Sequence, residues 1–224
     1  LYRFSFFNFY KFDTPVIIIG NISLGGSGKT PFCIWLANYL KSKDIKVGVV
    51  SSGYKGSSKK PMIVDNESKP LAVGDEAILL HEKTNAKIVS CGNRVEATRL
   101  LLTRFKVDVV IHDDGIQHYA LDRDYEIILI DNSKLFGNGF LLPSGPLREL
   151  KSRISRANIS ILMNHESNSV YAACSINKGI QNSVTKEIKN FDQFTNKKVH
   201  LVAGIASIDS ITSVSYTHLR AHET

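Results

Sequence analysis

Two short groups of residues in this chain could do chemistry together. The first is Ser23-Leu24-Gly25-Gly26-Ser27-Gly28-Lys29-Thr30. Its glycines let backbone N–H groups close around phosphate oxygens, Lys29 adds a mobile point charge, and the Thr30 hydroxyl can ligate magnesium. The second is His112-Asp113-Asp114-Gly115. One of these two carboxylates would hold a Mg2+ whose other ligands are Thr30 and phosphate oxygens, leaving the other to a turn or helix cap. Either group alone is weak evidence. A phosphate loop followed later by an acidic strand end makes a nucleoside triphosphate the leading ligand. The loop departs from the standard pattern in one place, since the first glycine is replaced by Ser23 and Gly20 lies too early to substitute. A ligand-free glycine turn is the plain alternative, and the Lys-Thr pair at the helix start argues against it.

A third group, Val73-Gly74-Asp75-Glu76, enters an apolar, helix-compatible stretch. Adjacent carboxylates there could accept a proton or serve a metal. By spacing alone Asp75 also fits a helix N-cap.

The elements that must position these groups follow from apolar patterning. Val16–Gly20 reads as a buried strand, and the amphipathic PFCIWLANYL after the loop reads as a helix whose Phe32, Trp35, Leu36, Tyr39 and Leu40 form a core stripe. A strand, a tight turn and a helix in that order aim free N–H groups and the positive end of the helix dipole at one point, which suits an anion. Lys46–Ser51, Lys87–Cys91, Val107–Ile111, Tyr125–Ile130, Ile159–Met163 and Val199–Ala203 read as further strands, with a helix over Val95–Phe105. Ser57–Lys69 reads as an exposed connection, and the glycines and prolines of Asn138–Glu149 as a long rigid loop. The fold class is α/β, a P-loop NTPase-type, mostly parallel sheet with helices on both faces.

The chain of 224 residues, 43% hydrophobic and 22% charged, suits one α/β domain with a sizeable core and the start of a second. A net charge of +7 favours an anionic partner, but the basic residues are scattered and form no nucleic-acid-binding run. Three cysteines without a C-x-x-C pair argue against a disulfide framework or structural zinc. No apolar run approaches the roughly 20 residues a spanning helix needs. Residues 1–12 are rich in Tyr and Phe beside Arg3 and Lys11. Such a segment suits a membrane interface or packing on the protein's own core. The chain begins at Leu1 instead of methionine, so upstream sequence is expected, and residues 214–224 read as a non-native tail.

Taken in order, SLGGSGKTP, SSGYKG, VGDEA, DDGIQH, LDRDYEIILID and NGFLLPSGPLRE resemble the bacterial lipid A 4′-kinase family, from about Tyr10 to about Ala206. The resemblance implies a kinase core over 13–206 that uses ATP and Mg2+ to phosphorylate the 4′-hydroxyl of a tetraacylated disaccharide 1-phosphate. The partner it implies is a lipid at the cytoplasmic face of the inner membrane, without nucleic acid or a protein partner. On this resemblance, Ser23 through Thr30 bind the nucleotide, with Lys29 also catalytic, and Thr30 with Asp113 or Asp114 faces the metal, where Glu76 is a further candidate. Asp75 matches the base, and Gln117, His118, Arg123 and Arg148 are expected at the substrate mouth. Ser52 stands where the family has arginine. The family also continues past Ala206 into a smaller lobe carrying a catalytic histidine, so the chain is expected to be truncated and to turn over poorly. Two rivals remain: a P-loop switch or assembly ATPase, and a soluble small-molecule kinase or ligase. Against the first, Leu24 stands where partition-type ATPases have lysine, and no N-K-x-D tetrad occurs.

Overall fold

A computed structural model describes residues 9–165, 171–174, 180, 181, 184, 185, 187–190 and 193. The β-branched run at Val16–Gly20 forms β1, and after it come α1 (Lys29–Lys41), β2 (Val47–Ser51), β3 (Met62–Val64), α2 (Pro70–Val73), α3 (Asp75–Thr84) and β4 (Lys87–Ser90). α4 (Arg94–Arg104), β5 (Val109–Asp113), β6 (Tyr125–Asp131), a 3-10 turn at Lys151–Arg156, β7 (Ile159–Met163) and β8 (Ala172–Ala173) complete the first compact unit, Leu1–Ala173. A second unit, Cys174–Thr224, contains the short antiparallel pair β9 (Ile180–Gln181) and β10 (Ile188–Lys189).

The eight strands of the first unit lie in the order β3-β4-β2-β5-β1-β6-β7-β8. All neighbours run parallel except β3, which pairs antiparallel with β4 at the edge. Alternation along each strand builds a core on both faces. Ile19, Val49, Ile111, Ile127 and Leu129 pack with Phe32, Cys33 and Ala37 of α1 and Ala77 and Leu80 of α3. On the other face, Val50, Val89 and Val110 pack with Ala97 and Leu101 of α4, and Val16, Ile18 and Ile128 with Ile116, Leu121 and Leu147.

The register matters for function. β1 lies between β5 and β6, with Ile19 opposite Asp113 and Gly20 opposite Ile128. The turn leaving β1 and the acids leaving β5 therefore emerge side by side at the carboxyl edge of the sheet, where ligands of such sheets bind.

Three expectations change. β5 runs on through His112 to Asp113, because a buried central strand keeps its ladder to the last residue its neighbours can pair. The 57–69 connection contains β3, a three-residue strand too short for periodicity to reveal. In α1, Trp35 and Tyr39 stand 55% and 48% exposed, not in the core. At about 100° per residue the buried face runs through Phe32, Cys33 and Ala37. Trp35 and Tyr39 instead stack on each other one turn apart, ring centroids 5.6 Å from each other.

Of the amino-terminal aromatic segment, Tyr10 and Phe12 pack on the core while Phe9 is exposed. Residues 1–8, the Val199–Ala203 strand and the 214–224 tail lie outside the described residues. Among the described residues, no helix is long and apolar enough to cross a membrane.

Tight sheet–helix contact supplies a test. A Cβ at Gly48 of β2 would stand 2.5 Å from Leu101 Cδ2 of α4. We expect Gly48→Ala to cost about 1–3 kcal/mol through overpacking. The change should be read as a lower urea midpoint with an unchanged slope.

Candidate functional site

The phosphate loop is built by backbone geometry that only glycine adopts freely. Gly25 (φ 109°) and Gly28 (φ 74°) lie in the left-handed region, and Gly28 forms the N-cap of α1. A Cβ on Gly28 would also meet Met163 Cε of β7 at 2.9 Å. The loop is braced from outside: the Leu24 N–H donates to Pro146 O at 2.7 Å, and Ser23 bridges to Leu147.

Thr30 Oγ1 donates to Asp113 Oδ2 at 3.1 Å, so the phosphate loop and the acidic strand end form one site. The neighbouring acid faces other partners. Asp114, itself in the left-handed region, has its carboxylate 3.8 Å from Lys29 Nζ, while Arg148 Nη1 donates to its two oxygens at 3.0 and 3.1 Å. Lys29 also donates to Asn21 Oδ1 at 3.3 Å.

Asp113 is 2% exposed, and its Oδ1 is buried without a hydrogen-bond partner. Burial, and then the charge of Glu76, push its pKa up to about 6 against the pull of Arg94 and the Thr30 hydroxyl. An uncompensated carboxylate oxygen beside a hydroxyl suits a hard divalent cation. No group of three or more His, Cys, Asp or Glu stands ready as a metal cage among the described residues, so such a cation would complete its shell with phosphate oxygens and water.

Asp75 and Glu76 are exposed in the first turn of α3. The N-cap is Gly74 (φ 88°), so Asp75 is not the capping residue. Gly74 is wedged under the preceding motif, where a Cβ would meet Tyr54 O at 2.7 Å, and a Cβ on Gly56 would meet Ala72 O at the same distance. Ser90 Oγ donates to Val73 O at 2.5 Å. The SSGYKG and VGDE segments are thus one backbone-packed unit at the carboxyl ends of β2 and β4.

The four residues expected at the substrate mouth separate. Arg148 reaches the acidic tip as described, at 26% side-chain exposure. The Gln117 side-chain amide donates to Asn21 O and Glu149 Oε1. Arg123 is turned inward, donating to the carbonyls of Ile116, His118 and Leu121 and to Glu126. His118 is half-buried, and burial, then Arg94 and Arg123, lower its pKa to about 4.

Four site residues escaped the sequence reading. Arg94, 2% exposed, donates to the carbonyls of Asp113, Asp114 and Val50 and so ties the ends of β2 and β5 together. Asn21 is fully buried and is met by both Lys29 and Gln117. Glu149 accepts from Gln117 and Tyr119 and pairs with Arg153 Nε at 3.3 Å, and Arg153 also pairs with Glu126. The available signal was position: Asn21 directly follows a buried strand, and Arg94 opens the helix after β4. Beside the phosphate loop lies a cavity of about 320 Å³, walled by Ser23–Ser27, Asp131, Lys134, Leu135, Gly137 and Pro146.

Comparison with known proteins bears on this arrangement. Residues 1–215 match the family model described as LpxK, tetraacyldisaccharide-1-P 4′-kinase. A tetraacyldisaccharide 4′-kinase of Coxiella burnetii (strain RSA 331 / Henzerling II) is 46% identical over 208 residues, covering 92% of this chain and 61% of the relative. The enzyme of the same name from Histophilus somni (strain 2336) is 39% identical over 209 residues, covering 92% and 62%. The chain thus spans about three-fifths of the length of these curated relatives. A crystal structure described as the "apo" form of LpxK from Aquifex aeolicus in complex with ATP superposes with a TM-score of 0.79 at 30% identity, covering 96% of this chain and 71% of that one.

The His118 environment makes a pH prediction. Its folded-state pKa of about 4 lies below the ordinary 6.5, so the unfolded chain takes up the proton first. Its contribution to stability is full above 6.5 and falls as the pH drops toward 4. His118→Gln should flatten that part of the profile when urea midpoints are compared from neutral to acidic pH.

Proposed function

The chain belongs to the tetraacyldisaccharide-1-phosphate 4′-kinase family, and from that premise we propose that it binds ATP across the Gly25–Thr30 turn and phosphorylates a tetraacylated disaccharide 1-phosphate at its 4′-hydroxyl. That reaction belongs to lipid A biosynthesis, at the cytoplasmic face of a bacterial inner membrane. The observation that carries the reading is the 3.1 Å bond between Thr30 and Asp113, with an unpartnered buried carboxylate oxygen behind it.

The loop amides and the amino-terminal end of α1 hold the β- and γ-phosphates, and Lys29 leaves Asp114 to follow the charge of the transferring group. Asp113 and Thr30 are the residues that would hold Mg2+, which supplies neutralisation of phosphate charge, with Glu76 near enough to act on Asp113 electrostatically. Lys29 and Arg148, on either side of Asp114, form the cationic side of the site, where Arg148 can pair with an anionic acceptor. The apolar walls of Leu24, Leu135 and Pro146 suit the nucleoside.

Asp75 is the base. The 4′-hydroxyl O–H bond breaks with the proton passing to the Asp75 carboxylate, the sugar oxygen bonds to the γ-phosphorus, and the β–γ bridging oxygen leaves with ADP. Gly74, packed against the Tyr54 carbonyl, fixes the backbone from which that carboxylate extends. Gln117 and Arg123 are positioning residues: the first braces Asn21 beneath Lys29, the second closes the loop that follows the acidic tip.

Radiolabelled ATP with the disaccharide acceptor, supplied to this chain and to a carboxyl-terminally extended form, tests the reaction directly. Lys29→Ala should lower transfer by about 100-fold or more, as removal of one preorganised charge-stabilising donor does. Undiminished transfer would reject the site. Asp75→Asn should keep nucleotide affinity while the single-turnover rate falls. If affinity falls instead, Asp75 belongs to the metal side.

A further inference from the structure

The loop that delivers Arg148 keeps its largest apolar residues outside. Phe140, Leu141 and Leu142 are consecutive in sequence and 63%, 41% and 46% exposed, with Leu150 at 61% beyond them. A run of three large apolar side chains in water marks a surface made to be covered. None of the three lines the cavity beside the phosphate loop.

The loop is braced from within. The Leu142 N–H donates to Leu147 O at 2.8 Å, the Gly145 N–H to Leu141 O at 3.0 Å, and Asn138 Nδ2 to Ser144 O at 2.9 Å. It is equally fixed to the site, since the Arg148 N–H donates to Ile22 O at 2.7 Å and the Leu24 N–H to Pro146 O at 2.7 Å. It forms a rigid apolar spur joined to the phosphate loop.

Charge at its base favours an anionic occupant. Lys134 and Lys151 are exposed, and Lys151 Nζ stands 5.0 Å from the Phe136 ring centroid. The acids nearby are engaged: Asp131 accepts from Ser133, and Glu149 is held by Arg153, Gln117 and Tyr119. Size argues against a protein partner. Three side chains of this kind present a few hundred Å² at most, at about 150–250 Å² for an aromatic residue, against roughly 800 Å² per side in a stable protein contact.

We propose that the Phe140–Leu142 spur inserts into the headgroup layer of an anionic lipid bilayer, with Lys134 and Lys151 meeting lipid phosphates. Apolar side chains at headgroup depth combined with lysines at the surface are what interfacial binding requires. Because the spur is bonded to Ile22 and Leu24, its depth sets how far the phosphate loop stands from the bilayer. This inference rests on the lipid-kinase reading for its purpose, but its test does not depend on catalysis.

The test uses the 224-residue chain with vesicles of phosphatidylcholine alone and with about 30% phosphatidylglycerol, an anionic surface of the kind that attracts lysines. Phe140→Ser with Leu142→Ser should lower co-sedimentation with the anionic vesicles about tenfold while leaving ATP affinity unchanged. In a Trp35→Phe background, Phe140→Trp should show blue-shifted emission that brominated phospholipid quenches; this reads the spur itself whatever else touches the vesicle. Undiminished co-sedimentation of the double variant, or no quenching, would overturn the proposal. So would a dimer in vesicle-free buffer that the double substitution dissociates, since the spur would then serve a second copy. Transfer to acceptor dispersed in detergent tests the kinase reading separately. If transfer fails there even for the carboxyl-terminally extended form while vesicle loss and quenching hold, the kinase reading falls and the spur stands.

Discussion

A carboxylate removed from water needs a positive charge nearby, and Asp113 is only partly supplied. Arg94 donates to its main-chain carbonyl and Thr30 to one of its carboxylate oxygens, and the other oxygen is buried without a partner. Burial lifts its pKa to about 6, so the folded chain holds an electrostatic debt that a bound cation would remove. Much of the surrounding structure reads as the means of keeping that group in place: a central strand to carry it, a buried guanidinium to fix its backbone, and the first turn of α1 to face it.

Two charge systems meet at this edge and do different work. One is the site itself, where Asp114 lies between Lys29 and Arg148 and leaves both cations partly accessible. The other is structural, a network of Arg123, Glu126, Arg153 and Glu149 that is largely out of water and saturated with partners. Glu149 joins them through Gln117, which also holds Asn21, the residue whose side chain accepts from Lys29. A buried network with its partners satisfied is rigid, and rigidity here holds the adjoining Arg148 against the acidic tip.

The remaining pieces of the edge are held by close backbone contact. Gly56 and Gly74 leave no room for side chains, which presses the loop after β2 onto the turn before α3 and fixes the acids that open that helix. On the far side of β1, the loop after β6 is pinned to Ile22 and Leu24, so the phosphate loop is gripped from its own strand and from a segment more than a hundred residues later. The family relationship and the geometry agree here: the SLGGSGKTP, SSGYKG, VGDEA and DDGIQH motifs that carry the resemblance meet at this edge.

What could be read from the sequence is what depends on neighbours along the chain. The phosphate loop, the parallel strands, the acid pair at the end of β5 and the family resemblance were all legible, because glycine spacing and apolar runs act over a few residues. Periodicity failed where the signal was short or two-sided, as in β3 and on α1, where aromatic content put Trp35 and Tyr39 in the core and the helix turns them out. Tertiary structure alone decided which aspartate stands beside Thr30 and which beside Lys29, since adjacent residues carry the same chemistry and only the register of β1 on β5 sends them different ways. It also decided that Arg123 faces inward while Arg148 faces the site. A guanidinium in a sequence has no direction until the carbonyls and carboxylates that will hold it have been folded into place.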